Sequence, residues 1–205
     1  NILASLRMIQ GDLAEGELLA KRALEVTERL GLREHPDAAD AHYYLGLVLA
    51  QRGEHASAQS LYEQAQSIVE AALGRTHPTV ALVVGQLAQI HCGRGEYDRA
   101  ELLSQRALEI CEPVLGSDHP DTAFMIYLRA EVFLEQGTFE RAEPLYLRAV
   151  ATGEKALGPD HAGVAILLEN YATLLRQMKR DTEATAIQTR AKTLRARYVR
   201  QTSRR

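Results

Sequence analysis

Residues 77–118, HPTVALVVGQLAQIHCGRGEYDRAELLSQRALEICEPVLGSD, decide how the rest of the chain is read. They divide into two amphipathic helices with a tight turn at Gly95 between them. The landmarks of this stretch recur. His-Pro stands at His35, His77 and His119, and His161-Ala162 takes the next place, each 42 residues after the last. The turn glycine keeps the same step at Gly11, Gly53, Gly95 and Gly137. A fixed period of this size marks stacked units, each covering the apolar face of the next. The predicted fold class is all-α, built from antiparallel helix pairs.

Working outward, the junction has a physical logic. Proline suits the first turn of a helix, where its missing N–H costs nothing, and it pushes the residue before it out of the helical region, so each histidine falls near an N-cap. Leu73-Gly74, Leu115-Gly116 and Leu157-Gly158 end the second helices with a residue able to enter the left-handed region. The first copy slides by one, to Leu30-Gly31. Lys179 replaces the inner-turn glycine of the last unit, which predicts a strained or differently shaped turn.

These signals predict helix pairs at Pro36–Gln51 with 56–73, Pro78–Gly93 with Tyr97–Leu115, 120–136 with Phe139–Leu157, and 162–178 with 181–200. Before them lies a unit cut short, with the remnant of a first helix over 1–9 and a second helix over 13–30. The units are then 1–34, 35–76, 77–118, 119–160 and 161–200, whose second helix caps the C-terminal end, followed by a basic tail at 201–205. The truncated start suggests a piece of a longer parent protein. Pro144 and Pro113 fall inside second helices, where a local bend and a kinked or shortened last turn are expected.

Small residues carry the packing. Ala58, Ala100, Ala142 and Ala184 keep the period, as do Ala65, Ala107, Ala149 and Ala191, and Gly46, Ala88, Ala130 and Ala172 answer them on the first helices. Small side chains let helix axes approach, and Leu61, Leu103, Leu145 and Ile187 interlock around them.

The composition narrows the function. The formal charge of −3 argues against a polyanion binder, and no apolar run approaches the ~20 residues of a membrane span. Cys92 and Cys111 form no C-x-x-C pair and read as free thiols of a reducing compartment, hence a cytoplasmic protein. No metal, cofactor or catalytic motif is expected. The junction histidines come one per unit, on helices spaced on the order of 10 Å apart, whereas zinc needs ligands at about 2 Å. Lys192, Arg195, Arg197, Arg200, Arg204 and Arg205 crowd the C-terminus, where cations suit a helix end, and they read first as a solvated cap and frayed end, with contact to nucleic acid or anionic lipid as the weaker alternative.

The pattern resembles the tetratricopeptide repeat. The second unit matches it through His42, Leu45-Gly46, Leu49, Ala58, Tyr62 and Ala65, the third through Val84, Leu87-Ala88, His91, Ala100, Ser104 and Ala107. The 42-residue period, the LGxxHP junction and the phrase GEYDRAELLSQRALEI are similar to the kinesin light chain type. Two features depart from it. Arg129 stands where Leu45 and Leu87 stand, and Asn-Asn-Leu-Ala is missing apart from Asn170-Tyr171-Ala172, so that family's cargo-gripping asparagines do not carry over.

The resemblance implies a right-handed solenoid whose first helices line a concave groove. Counted from Gly46 and its equivalents, positions −6, −3, +1 and +4 are then the expected lining. In the second unit these are Asp40, Tyr43, Leu47 and Ala50, and in the third Leu82, Gly85, Gln89 and Cys92. The fourth offers Phe124, Tyr127, Glu131 and Leu134, and the fifth Ile166, Glu169, Thr173 and Arg176. The expected function is non-catalytic: the groove holds a peptide or protein segment through apolar anchors, and a basic residue of that ligand meets Glu131 or Glu169. The alternatives are homotypic self-association, giving a homo-oligomer, or the regulatory region of an enzyme whose catalytic domain lies elsewhere in the parent.

Overall fold

A computed structural model describes residues 13–202, with side chains as far as 197. The first-helix remnant expected over 1–9, Gly11, and the side chains of Arg200, Arg204 and Arg205 lie outside the described residues, as does most of the 201–205 tail. Among the described residues every regular element is a helix: α1 Leu13–Arg29, α2 Pro36–Gln51, α3 His55–Leu73, α4 Pro78–Gly93, α5 Tyr97–Leu115, α6 Pro120–Glu135, α7 Phe139–Leu157, α8 Ala162–Gln177 and α9 Asp181–Thr202. Each packs on the helix before and after it, and α4 also packs on α6. Helices α2, α4, α6 and α8 form one row, α1, α3, α5, α7 and α9 the other. The core is a continuous seam between the two rows.

The junction histidines are the N-caps themselves. Nδ1 of His35, His77, His119 and His161 accepts the backbone N–H of Asp37, Thr79, Asp121 and Gly163 at 3.3, 3.2, 3.1 and 3.0 Å. His161 caps without a following proline, so the imidazole and not the proline is the constant part of the device.

The two turns of each unit differ. Inner-turn glycines Gly53, Gly95 and Gly137 have φ of 75–80°, and Lys179 adopts φ 61° in the same place. The last turn is therefore strained and not differently shaped. Of the outer-turn glycines, Gly31 has φ 70°, close to the inner-turn values, and the other three do not enter the left-handed helical region expected of them. Gly74, Gly116 and Gly158 have φ 89–90° with ψ 149–164°, a region essentially confined to glycine. Helix α7 continues through Pro144, and α5 runs through Pro113 to Leu115, so its last turn is not shortened.

All eight periodic alanines of the second helices are buried to within 1%. Gly46 supplies the closest approach, since a Cβ there would sit 2.6 Å from Tyr62 Cε1. Leu61, Leu103, Leu145 and Ile187 are partly buried around them.

A ladder of ion pairs ties the second helices together. Arg106 Nη2 lies 2.8 Å from Glu70 Oε1, and the same pair recurs one unit on as Arg148–Glu112 and again as Arg190–Glu154. A shorter series joins Lys155 to Asp118 at 2.5 Å and Arg197 to Asp160 at 2.9 Å. Of the basic C-terminal cluster, two described residues are thereby paired within the molecule, Arg197 with Asp160 and Arg195 with Glu169 at 2.6 Å.

Candidate functional site

Helix α4 shows which face of the first row stays open. It is flanked by α3 and α5 and by α6. Its residues that escape full burial are Pro78, Thr79, Leu82, Gln86, Gln89 and Gly93. After the first turn these follow a spacing of three and four, one stripe along a helix. The equivalent stripe in α2 is Asp37, Asp40, Tyr44, Leu47 and Gln51, and in α6 Asp121, Phe124, Glu131 and Glu135, with Leu128 buried between them. In α8 it is Gly163, Ile166, Asn170, Thr173 and Gln177. The four stripes occupy equivalent positions of the repeat and together are called the band; α4 and α6, which pack on each other, bring theirs side by side.

The expected lining divides in two on this band. Leu47, Leu82, Gln89, Phe124, Glu131, Ile166 and Thr173 lie on it, as does Asp40. At positions −3 and +4, Gly85, Cys92 and Leu134 instead turn toward the next helix pair and are buried there, while Tyr43, Ala50, Tyr127 and Glu169 are partly buried and Arg176 is exposed. A Cβ on buried Gly85 would meet Leu128 Cδ1 at 2.7 Å and Met125 Sδ at 3.2 Å, both on α6. Cys92 clusters with Val132, and Leu134 with Tyr171, Leu174 and Leu175. Tyr43 and Tyr127 are half-buried against the core and Ala50 with them. Glu169 and Arg176 hold the same positions on α8, where α9 engages them through Arg195 and Gln188. Sequence reasoning missed Tyr44, Gln86 and Asn170, one residue along from the −3 position.

Several band residues are already tied within the fold. Gln89 Nε2 donates to the Leu128 carbonyl at 3.0 Å, pinning α4 to α6. Thr173 Oγ1 donates to the Glu169 carbonyl at 3.2 Å. The Tyr146 hydroxyl donates to Glu131. Burial pushes the Glu131 carboxyl above its ordinary value and nearby Glu135 adds to this, against the opposing hydrogen bonds of Tyr146 and Tyr127. An aromatic row leads inward from the band: Phe124 stacks on Tyr127 with centroids 6.0 Å apart, and Tyr127, Tyr146 and Tyr171 follow at 6.3 and 6.1 Å.

The band is chemically one-sided. It carries Asp37, Asp40, Asp121, Glu131 and Glu135 and no lysine or arginine. Arg129 points off it, 5.9 Å from the Phe133 ring and 3.5 Å from Gln105 of α5. Such a surface offers apolar contact and hydrogen-bond acceptors. Among the described residues no cluster of three or more His, Cys, Asp or Glu could hold a metal ion, and no helix is long and apolar enough to cross a membrane.

Comparison with known proteins agrees with this architecture. No curated protein matches the chain in sequence. Among solved structures it is similar to a Podosopora anserina protein of nearly identical TPR-like repeats assigned to the kinesin light chains. The TM-score is 0.66 at 21% identity, over 97% of this chain and 93% of that one. BtubC (BKLC) from P. vanneervenii gives 0.70 at 24% identity, over 96% and 78%. A Rap protein complexed with Competence and Sporulation Factor gives 0.79 at 13%, over 93% of this chain and 52% of that one. At such identities these likenesses speak for the fold alone. The family model for the tetratricopeptide repeat matches residues 1–71, 37–112, 79–152 and 123–197, overlapping windows that span nearly the whole chain, and the chain belongs to the tetratricopeptide repeat family.

Proposed function

We propose that this chain is a non-catalytic interaction module, built of the units at 35–76, 77–118, 119–160 and 161–200, that holds an extended protein segment along the open band. The observation that carries this reading is the band's composition. Tyr44, Leu47, Leu82 and Phe124 offer apolar area, Gln86, which Tyr43 engages, and Asn170, whose Nδ2 donates to the Ile166 carbonyl, keep their remaining amide groups for register, and every charge on the band is negative. A segment that alternates apolar anchors with lysine or arginine complements it, and electrostatic attraction speeds its capture. Glu135, exposed at the end of α6, is better placed to meet such a cation than Glu131, which the Tyr146 hydroxyl already engages. Leu47, Gln89 and Thr173 extend the contact line, with Tyr43 and Tyr127 as its half-buried floor. Two buried thiols, Cys92 and Cys111, fit a reducing compartment, which we take to be the cytoplasm.

A phage-displayed random peptide library panned on the full chain tests the reading. Enriched peptides should combine apolar and basic residues and should be lost on Tyr44→Ala combined with Glu135→Lys. A folded double variant that selects the same peptides as the parent moves the site off the band.

A further inference from the structure

The ladder between the second helices has three rungs, and the junction where a fourth belongs is built differently. Glu70 is held by two arginines: Arg75 at 3.2 Å from the loop that follows it, and Arg106 at 2.8 Å from the next second helix. One unit earlier the equivalents are Glu28, Arg33 and residue 64. Glu28 keeps the loop arginine, with Arg33 Nη2 at 3.3 Å. The place of Arg106 is taken by Gln64, shorter and uncharged, whose amide turns back along its own helix to Ser60 Oγ at 3.4 Å. Here, between α1, α2 and α3, a crevice of about 690 Å³ opens, lined by Glu28 and Gln64 among others.

The lining of this crevice has changed with it. His42 stands where Val84, Ile126 and Leu168 fill the later junctions, all buried apolar residues. His42 lines the crevice, and its Nδ1 is buried with no hydrogen-bond partner among the described residues. Burial holds its imidazole below the ordinary value, against the pull of Glu28, so the neutral ring with an acceptor nitrogen is favoured. Glu25 and Glu34 add two carboxylates to the lining. Of its two cations, Lys21 is bound to Glu17 at 2.6 Å and Arg33 to Glu28.

We propose that this crevice is a second binding site, independent of the open band, and that it takes an arginine side chain from a protein segment lying across the second helices. The later rungs are the internal precedent, because the chain itself supplies arginine to the same carboxylate at three successive junctions. The guest guanidinium pairs with Glu28 as Arg106 pairs with Glu70. The buried His42 Nδ1 is reached when the ring turns toward the crevice on binding; a further N–H of the planar fork then donates to it, the proton of that ring residing on Nε2. The carboxylate and the neutral acceptor together select a donor-only cation over an acidic side chain, and Leu24 and Ile68 of the lining receive its methylene stem.

The test uses the full chain and the peptide acetyl-Ala-Ala-Arg-Ala-Ala-amide, read by the NMR shifts of the His42 ring. Saturable shifts are expected, with binding about tenfold weaker when citrulline replaces arginine, since citrulline keeps the shape and loses the charge. Gln64→Arg restores the internal rung and should abolish the shifts without loss of thermal stability. The site is overturned if the His42 ring does not respond, if citrulline binds as well as arginine, or if a folded Gln64→Arg variant responds like the parent. A Tyr44→Ala, Glu135→Lys variant should respond unchanged, which separates this site from the band.

Discussion

Lys179 and Gly116 show how unequal two positive-φ residues can be. Both sit at turns that repeat along the chain, yet only the inner turn accepts a side chain. Lys179 at φ 61° lies where the left-handed region costs an L-residue roughly 1–2 kcal/mol. Gly116, at φ 89° and ψ 164°, lies where almost no side chain is found. Lys179→Gly should therefore raise stability by up to about 1 kcal/mol, less what glycine returns to the unfolded state. Gly116→Ala should cost about 1–3 kcal/mol and clearly more than Gly95→Ala, as chemical denaturation would show. Glu131 gives a prediction of opposite kind. Its folded-state carboxyl titrates above the ordinary value of 4.5 because it is buried. The stability it confers is full below that ordinary value and is lost as pH rises through the raised one. Glu131→Gln should accordingly be more stable than the parent at neutral pH and lose that advantage in acid, as urea melts at pH 4 and pH 7 would reveal.

At the scale of the element, the buried alanines set how near two helices come. Ala107 is 1% exposed, in the seam between α4 and α5. Ala107→Leu should destabilise by about 1–3 kcal/mol through overpacking, measured by thermal or urea unfolding. The helices themselves were legible because their ends are written in residue chemistry: Pro36, Pro78 and Pro120 begin α2, α4 and α6 as predicted, and Leu73, Leu115 and Leu157 close α3, α5 and α7. The open face was only half legible. Tyr43 and Tyr44 are equally plausible on a helix read alone, and stripes through either have the same three-and-four spacing. Which one faces outward depends on the angle at which α4 meets α2, and that angle is set by side chains of both. The expected stripe therefore took positions −3 and +4, which the next helix pair covers at Gly85, Cys92 and Leu134, and did not include Tyr44, Gln86 and Asn170. The ion-pair ladder went unread for another reason. Arg106, Arg148 and Arg190 recur every 42 residues, as do Glu70, Glu112 and Glu154, but only the fold places one series against the other.

On the scale of the whole molecule, the two rows divide the charge between them. The first row is nearly free of cations on its open side, while the second row braids acids and bases into bridges between neighbours. From the unit at 35–76 onward, each is thereby stapled to the next on one side and left available on the other. A ligand that runs along the band touches several units at once, so its grip depends on their relative tilt as well as on any one side chain.

The packing of each helix on its near neighbours also bears on how the molecule answers a pull. Among the described residues the extensive helix contacts run between near neighbours, so tension applied at the two ends meets the units in series, like links. Stretched in an optical trap, the protein should lengthen in a staircase, each tread freeing one unit of 42 residues and on the order of 100 Å of chain. A single abrupt rip of the entire length would mean that links at opposite ends hold each other in a way the helix contacts do not convey.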